Sequence, residues 1–94
     1  MGHYEMLSAT ETVGPKLVLS PGGYEFQVAD LPSGVASLEF LAPDGSTWLP
    51  SGVELEEDGV KPCNIPAGSL GVRAVSEAAG ATVWLMPLTR SSGG

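Results

Sequence analysis

The chain has 94 residues, enough for a single domain, and its 4 lysines and arginines against 11 aspartates and glutamates give a formal net charge of −7 at pH 7. The few basic residues are scattered, whereas neutralising phosphates takes clustered ones, so the composition argues against a nucleic-acid-binding protein. The single cysteine excludes an internal disulfide, and no apolar run approaches the ~20 residues of a membrane helix, so we expect a soluble protein made in a reducing cytoplasm.

The N-terminal arm, residues 1–14, shows neither strand alternation nor a helical stripe. Its apolar side chains Tyr4, Met6 and Leu7 are larger than a free tail normally carries. One interpretation is a frayed terminus. The other is a binding arm, since thirteen extended residues reach roughly 40 Å, far enough to contact a neighbouring subunit. We therefore predict that these three side chains bind a partner.

Residues 15–89 carry the pattern of an all-β domain. Short alternating segments recur every 8–12 residues, with glycine, proline and aspartate between them, and no convincing helix is present. The predicted strands are 16–19, 24–28, 35–42, 47–49, 53–56, 70–76 and 81–88, with 60–65 as an edge strand or an irregular segment. Residues 90–94 form a short polar tail.

The clearest element is the hairpin at residues 35–50. Leu38 and Phe40 fall on one side of an extended chain, and Ser37 and Glu39 on the other, which is typical of a strand with one buried face. Residues 43–46, Pro-Asp-Gly-Ser, supply the residues that a tight turn prefers. The chain therefore reverses there.

The last predicted strand, 81–88, is apolar on both faces. Val83 and Leu85 lie on one side, and Trp84 and Met86 on the other. A strand that is apolar on both faces is typical of a sheet that is covered on both faces by other layers of protein. One layer is the second sheet of the domain, so we predict that Trp84 and Met86 lie in the core or in an interface between subunits.

These patterns predict a small antiparallel β-sandwich or jelly-roll-like barrel of about seven strands with an extended N-terminal arm. A chain of this size buries only about 60–65% of its unfolded surface, which leaves a thin margin of stability. We therefore expect it to complete its burial against copies of itself or a larger partner.

Catalytic chemistry has little support in the sequence. The only histidine, His3, lies near a terminus, so a nucleophile would have no positioned base. Cys63 has no basic neighbour closer than Lys61, which favours a buried or half-buried structural thiol. We therefore expect no enzyme and no cofactor.

The densest acidic stretch, residues 54–58, contains three glutamates and an aspartate. Glu54 and Glu56 share a strand face and could converge on a hard cation such as Ca²⁺. The spacing matches no EF-hand loop, and acidic residues on a solvated strand are common. We therefore expect no metal site.

Trp48, beside the hairpin turn, is the one aromatic residue that the sequence offers as a ligand platform. Many carbohydrate-binding modules with a β-sandwich fold present planar side chains to stack on sugars. The competing interpretation is that Trp48 packs in the core or an interface.

The region 21–88 resembles small β-sandwich proteins encoded near the head genes of tailed bacteriophages. The resemblance rests on Gly23-Tyr24 opening a strand, the hairpin VASLEFLAPDGSTWLP, the turn Asp58-Gly59-Val60, the segment IPAGSLGVRAV and the closing ATVWLMPL. Residues 1–14 are outside it. Proteins of this kind are virion structural components, and some are capsid decoration, or cement, proteins.

The resemblance implies a partner and a location. The partner would be the major capsid protein. The protein would lie on the outer surface of the capsid in the virion, and it would assemble as a homotrimer. Two alternatives stay open. The chain could be another phage structural accessory, of the tail or fibre, or a carbohydrate-binding module that uses Trp48.

Overall fold

A computed structural model describes residues 3–88, which form seven strands in two antiparallel sheets. The strands are β1 (Tyr4–Leu7), β2 (Gly22–Ala29), β3 (Ala36–Leu41), β4 (Trp48–Leu55), β5 (Gly59–Ile65), β6 (Val72–Ser76) and β7 (Thr82–Pro87). The first sheet has the order β1-β7-β2-β5, and the second has the order β4-β3-β6. The prediction of an all-β sandwich is confirmed, and the described strands form two separate sheets rather than a closed barrel.

The core lies between the inner faces of the two sheets. Alternation places Phe26 of β2 and Leu85 of β7 opposite each other in the first sheet, while Leu38 of β3 faces them from the second. The buried apolar side chains are Met6, Leu7, Tyr24, Phe26, Val28, Ala36, Leu38, Ile65, Val72, Ala74, Ala81, Val83 and Leu85. The one buried polar residue of the described chain is Ser76, whose hydroxyl donates to the Ala78 carbonyl at 2.7 Å.

The N-terminal arm differs from its prediction. Residues Tyr4–Leu7 form β1, which pairs with β7 at the edge of the first sheet. The register shifts between Glu5 and Leu7, so that the consecutive residues Met6 and Leu7 are both buried, with 0% and 1% of their surface exposed. The prediction that Met6 and Leu7 bind a partner is therefore wrong, because they complete the domain's own core. Tyr4 is 39% exposed.

The chain after β1 joins the second sheet. Gly14 donates its amide hydrogen to the Ala74 carbonyl at 2.8 Å, and Leu17 forms an isolated bridge with Val72. The predicted strand 16–19 is therefore limited to this bridge. The arm and the segment that follows it bind the edges of both sheets, so no structural break separates residues 3–14 from the sandwich.

Strand β4 joins the two predicted strands 47–49 and 53–56 into one. Its register with β3 shifts opposite Leu38, where the Ser51 hydroxyl donates to the Leu38 carbonyl at 2.7 Å and accepts from the Val53 amide at 3.0 Å. Gly52 takes a φ of +88°, which L side chains rarely adopt. The strand lies at the edge of its sheet, so Pro50 interrupts no central ladder.

The corner between the sheets is fixed by Asp58, in the turn between β4 and β5. Its carboxylate accepts hydrogen bonds from the amides of Asp30 and Leu31 at 2.9 and 2.8 Å. Asp30 has a φ of 60°, an uncommon value for a residue with a side chain. Strand β5 then runs along the other edge of the first sheet, as predicted for a segment that contains Pro62.

Candidate functional site

Strand β7 presents apolar side chains to solvent although it is an internal strand of its sheet. Val83 and Leu85 are fully buried against the second sheet, whereas Trp84 is half-buried and Met86 is 39% exposed. Trp84 and Met86 point to the outer face because successive side chains alternate. They do not lie in the core, so that part of the prediction is wrong, and their place in a subunit interface stays a prediction.

Polar side chains flank these two residues on both neighbouring strands. Glu5 of β1 and Gln27 of β2 lie directly opposite Trp84, and Glu25 of β2 lies opposite Met86. Side chains directly opposite each other on antiparallel strands lie on the same face, with Cβ atoms about 4.5–5.5 Å apart. The Gln27 amide donates to the Glu25 carboxylate at 3.2 Å. We call these five residues the Trp84 face.

A shallow depression of about 300 Å³ lies on this face. Its lining residues are His3, Gln27, Trp84 and Met86, and most of its lining surface is apolar. An indole and a thioether form the floor, and carboxylates stand at the neighbouring positions. The arrangement suits a ligand group that combines an apolar body with a positive charge.

Trp48 lies on the outer face of the second sheet in different surroundings. The guanidinium carbon of Arg73 lies 4.4 Å from the centroid of its ring. Arg73 is held by Glu39, whose carboxylate Oε1 lies 2.8 Å from both Nε and Nη2 of the guanidinium. A side chain of the same domain therefore covers one face of the Trp48 ring, which disfavours the predicted use of that face as a ligand platform.

Residues 54–57 of the acidic stretch border a second, open groove of about 520 Å³, together with Lys61. The aspartate of the stretch, Asp58, is engaged by two backbone amides at the corner between the sheets. Among residues 3–88, no group of three or more histidine, cysteine or acidic side chains is arranged to hold a metal ion.

Two ionisable groups, Cys63 and Tyr24, are opposite each other on β5 and β2. Burial raises the pKa of the half-buried Cys63 thiol, which disfavours the reactive thiolate. Burial also raises the pKa of Tyr24, with smaller effects from Tyr4 and Cys63. The Tyr24 hydroxyl donates to the Ser20 carbonyl at 2.7 Å. Tyr24 belongs to the buried core and Cys63 packs against that core, so both side chains have a structural role.

Comparisons with protein-family models, with characterised proteins and with solved structures gave no match for this chain. Within the described part of the chain, no helix is long and apolar enough to cross a membrane.

Proposed function

We propose that this chain is a capsid decoration protein of a tailed bacteriophage, which binds the outer surface of the major capsid protein shell and stabilises it. The observation that carries the proposal is the outward position of Trp84 and Met86 on β7. The sequence resemblance of residues 21–88 supplies the identity of the partner.

The Trp84 face supports a binding role for physical reasons. A tryptophan and a methionine on the outside of a small domain bury apolar area when a partner covers them, and each Å² contributes about 25 cal/mol. Tryptophan is also among the residues that dominate protein interfaces. The polar residues around Trp84 and Met86 resemble the rim of such an interface.

Homotrimeric assembly belongs to the same proposal. A trimer would place three Trp84 faces on one shell, and binding at several sites at once strengthens attachment without new contacts. Light scattering at increasing protein concentration measures the assembly state. A mass of three chains supports the trimer, and a constant mass of one chain contradicts it.

Binding to heads is the decisive experiment. Heads of the cognate phage, prepared without the decoration protein, are mixed with the purified chain and sedimented. We expect the wild type to co-sediment in many copies and Trp84→Ala to remain in the supernatant. The matched control is Leu49→Ala, which also removes an exposed apolar side chain but lies on the second sheet.

Electron cryo-microscopy of the decorated heads then locates the chain. Density at three-fold or quasi-three-fold positions of the shell supports the proposal. Wild-type protein that fails to bind heads contradicts it, and protein found on tails or fibres favours the accessory alternative.

A further inference from the structure

We propose that the Trp84 face receives an arginine side chain from a basic patch on the partner protein, an inference that rests on the proposed function. The guanidinium would stack on the Trp84 indole between the carboxylates of Glu5 and Glu25. The occupant is thus a positively charged protein surface, which we take to be that of the capsid.

The opposite side of the molecule provides the template. There the guanidinium of Arg73 lies 4.4 Å from the centroid of the Trp48 ring, and the carboxylate of Glu39 lies 2.8 Å from that guanidinium. The three residues come from three adjacent strands of the second sheet. This fold therefore already contains the arrangement that we propose for the interface.

The Trp84 face repeats two of the three parts. Trp84 has the carboxylate-bearing Glu5 directly opposite on β1, and Gln27, opposite on β2, is hydrogen-bonded to Glu25. The missing part is a guanidinium or ammonium group, since the one basic side chain that lines the depression among the described residues is the imidazole of His3. No lysine or arginine from residues 3–88 lines the depression beside Trp84.

The lysines and arginine of the described chain are placed elsewhere. Lys16 packs beside Gly71, Lys61 approaches the Glu54 carbonyl at 3.4 Å, and Arg73 covers Trp48. Arg90 lies outside the described residues, so the experiment below includes it as a separate variant. Within residues 3–88 no lysine or arginine is placed to supply the cation, so the proposal assigns it to a partner.

Charge selects the kind of partner. The chain carries a net charge of −7, and two copies meeting through this face would bring Glu5 and Glu25 against like charges. A basic surface would be attracted instead. Arginine fits better than lysine, because its planar guanidinium stacks on an aromatic ring and donates to a carboxylate at the same time. The apolar depression at Met86 suits the aliphatic part of the side chain.

The test uses a short peptide, acetyl-Leu-Arg-Leu-amide, and its citrulline counterpart, which keeps the shape and loses the charge. Nuclear magnetic resonance follows the indole N–H signals of Trp84 and Trp48 in the full-length protein during titration. We expect the arginine peptide to shift the Trp84 signal saturably, with a much smaller effect on Trp48, whose ring Arg73 already covers. Equal responses to arginine and citrulline, or at Trp84 and Trp48, would overturn the proposal.

The paired variant Glu5→Gln/Glu25→Gln removes the carboxylates and leaves Trp84 in place. We expect it to weaken peptide binding about fivefold, since charged partners strengthen a cation's contact with an aromatic ring. The control Glu54→Gln/Glu56→Gln makes the same change of net charge at exposed positions away from the face. If both paired variants weaken peptide binding equally, the net charge of the protein explains the loss, and the proposal is contradicted.

Three further outcomes identify the source of the cation and separate this inference from the proposed function. If Arg90→Ala shifts the Trp84 signal without peptide, as removal of a bound guanidinium would, the chain supplies its own cation and the inference is wrong. If Glu5→Gln/Glu25→Gln binds heads as the wild type does while Trp84→Ala does not, the inference fails and the proposed function stands. If the wild type binds no heads, the proposed function fails, and a charge-specific peptide response still supports the cation site.

Discussion

The two outer faces of the sandwich each carry a half-buried tryptophan, and the rings have different neighbours. Trp48 on the second sheet is covered by Arg73, which Glu39 holds in place. Trp84 on the first sheet lies beside a glutamate and a glutamine, above an open depression. One face completes its contacts within the domain, and the other leaves an aromatic ring and a methionine accessible.

This difference shows why an exposed aromatic residue is informative only together with its neighbours. The sequence offers Trp48 as the ligand platform because it lies beside a turn, and it predicts that Trp84 lies in the core or in a subunit interface because it belongs to an apolar run. In the folded chain it is the ring in the apolar run that remains available to a partner. The experiments below test how far the two faces differ, from the largest expected effect to the smallest.

The largest effect is expected on β7 itself. Leu85→Ala removes a fully buried side chain and should lower the free energy of unfolding by about 2–5 kcal/mol. Trp84→Ala, one residue away on the outer face, should cost only about 1 kcal/mol, because the ring already contacts water. Urea unfolding monitored by circular dichroism measures both. Equal losses would show that Trp84 is as buried as Leu85.

Removing Arg73 should make the second sheet's outer face resemble the first. Arg73→Ala deletes an ion pair whose side chains are 25% and 24% exposed, and it uncovers Trp48. We expect a loss of about 1 kcal/mol from the pair and the ring contact together. In a Trp84→Phe background, acrylamide should then quench Trp48 fluorescence more strongly.

The control for this variant is Lys61→Ala, which removes an exposed cation far from Trp48. Unchanged quenching in Arg73→Ala would mean that the guanidinium does not shield the ring in solution.

The converse change should give the Trp84 face a cation of its own. Gln27→Arg places a guanidinium directly opposite Trp84 and next to Glu25. We expect a gain in stability of about 0.5 kcal/mol and loss of the response to arginine peptide, since the site is then occupied. Gln27→Met, a neutral residue of similar length, is the control. A Gln27→Arg protein that still binds the peptide as the wild type does would contradict the prediction.

The smallest effect concerns the turn that precedes Trp48. The Asp44 carboxylate accepts from the Thr47 hydroxyl at 2.6 Å and from the amides of Ser46 and Thr47 at 2.9 Å, which lowers the pKa of Asp44 from its ordinary value of 3.8 to about 2. A lowered carboxylate pKa stabilises the turn above the ordinary value, and this contribution is lost as the pH falls through about 2.

We expect the Thr47 amide resonance to titrate near pH 2 in the wild type and not to titrate in Asp44→Asn. The Trp84 indole signal should not follow this transition, because the turn belongs to the second sheet. A midpoint for Thr47 near the ordinary pKa would show that the three hydrogen bonds do not form in solution.

Local patterns are sufficient to predict much of this fold. The alternation in residues 35–42 and the turn at 43–46 correspond to β3 and its hairpin with β4. The doubly apolar segment 81–88 corresponds to β7, an internal strand. In both cases the local pattern identifies the strand and its buried inner face, although the apolar outer face of β7 is not covered.

The misassigned elements depend on distant partners. Strand β1 escapes prediction because the register shift beside Met6 breaks the alternation, and because its partner β7 lies at the other end of the described chain. Residues 50–52 separate two predicted strands, whereas in the structure they belong to β4 and the Ser51 hydroxyl closes a bulge against Leu38. The ion pair between Arg73 and Glu39 joins residues 34 apart, which no local pattern indicates.

In the candidate site, too, local patterns predict some residues and distant strand pairing determines the others. Sequence identifies Trp84 and Met86 as a pair on one face of a strand. It does not reveal Glu5, Gln27 or Glu25 as their neighbours, because strand order and register decide which side chains become adjacent.

The pairing of β1 with β7 also constrains the order of events during synthesis. Strand β1 is made before β7 and finds this partner only when nearly all of the described chain has been synthesised, and closing so long a loop slows folding. Until then, Met6 and Leu7 have no core to enter. Because transiently exposed apolar segments promote aggregation, we expect this part of the nascent chain to be prone to aggregation until β7 has been made.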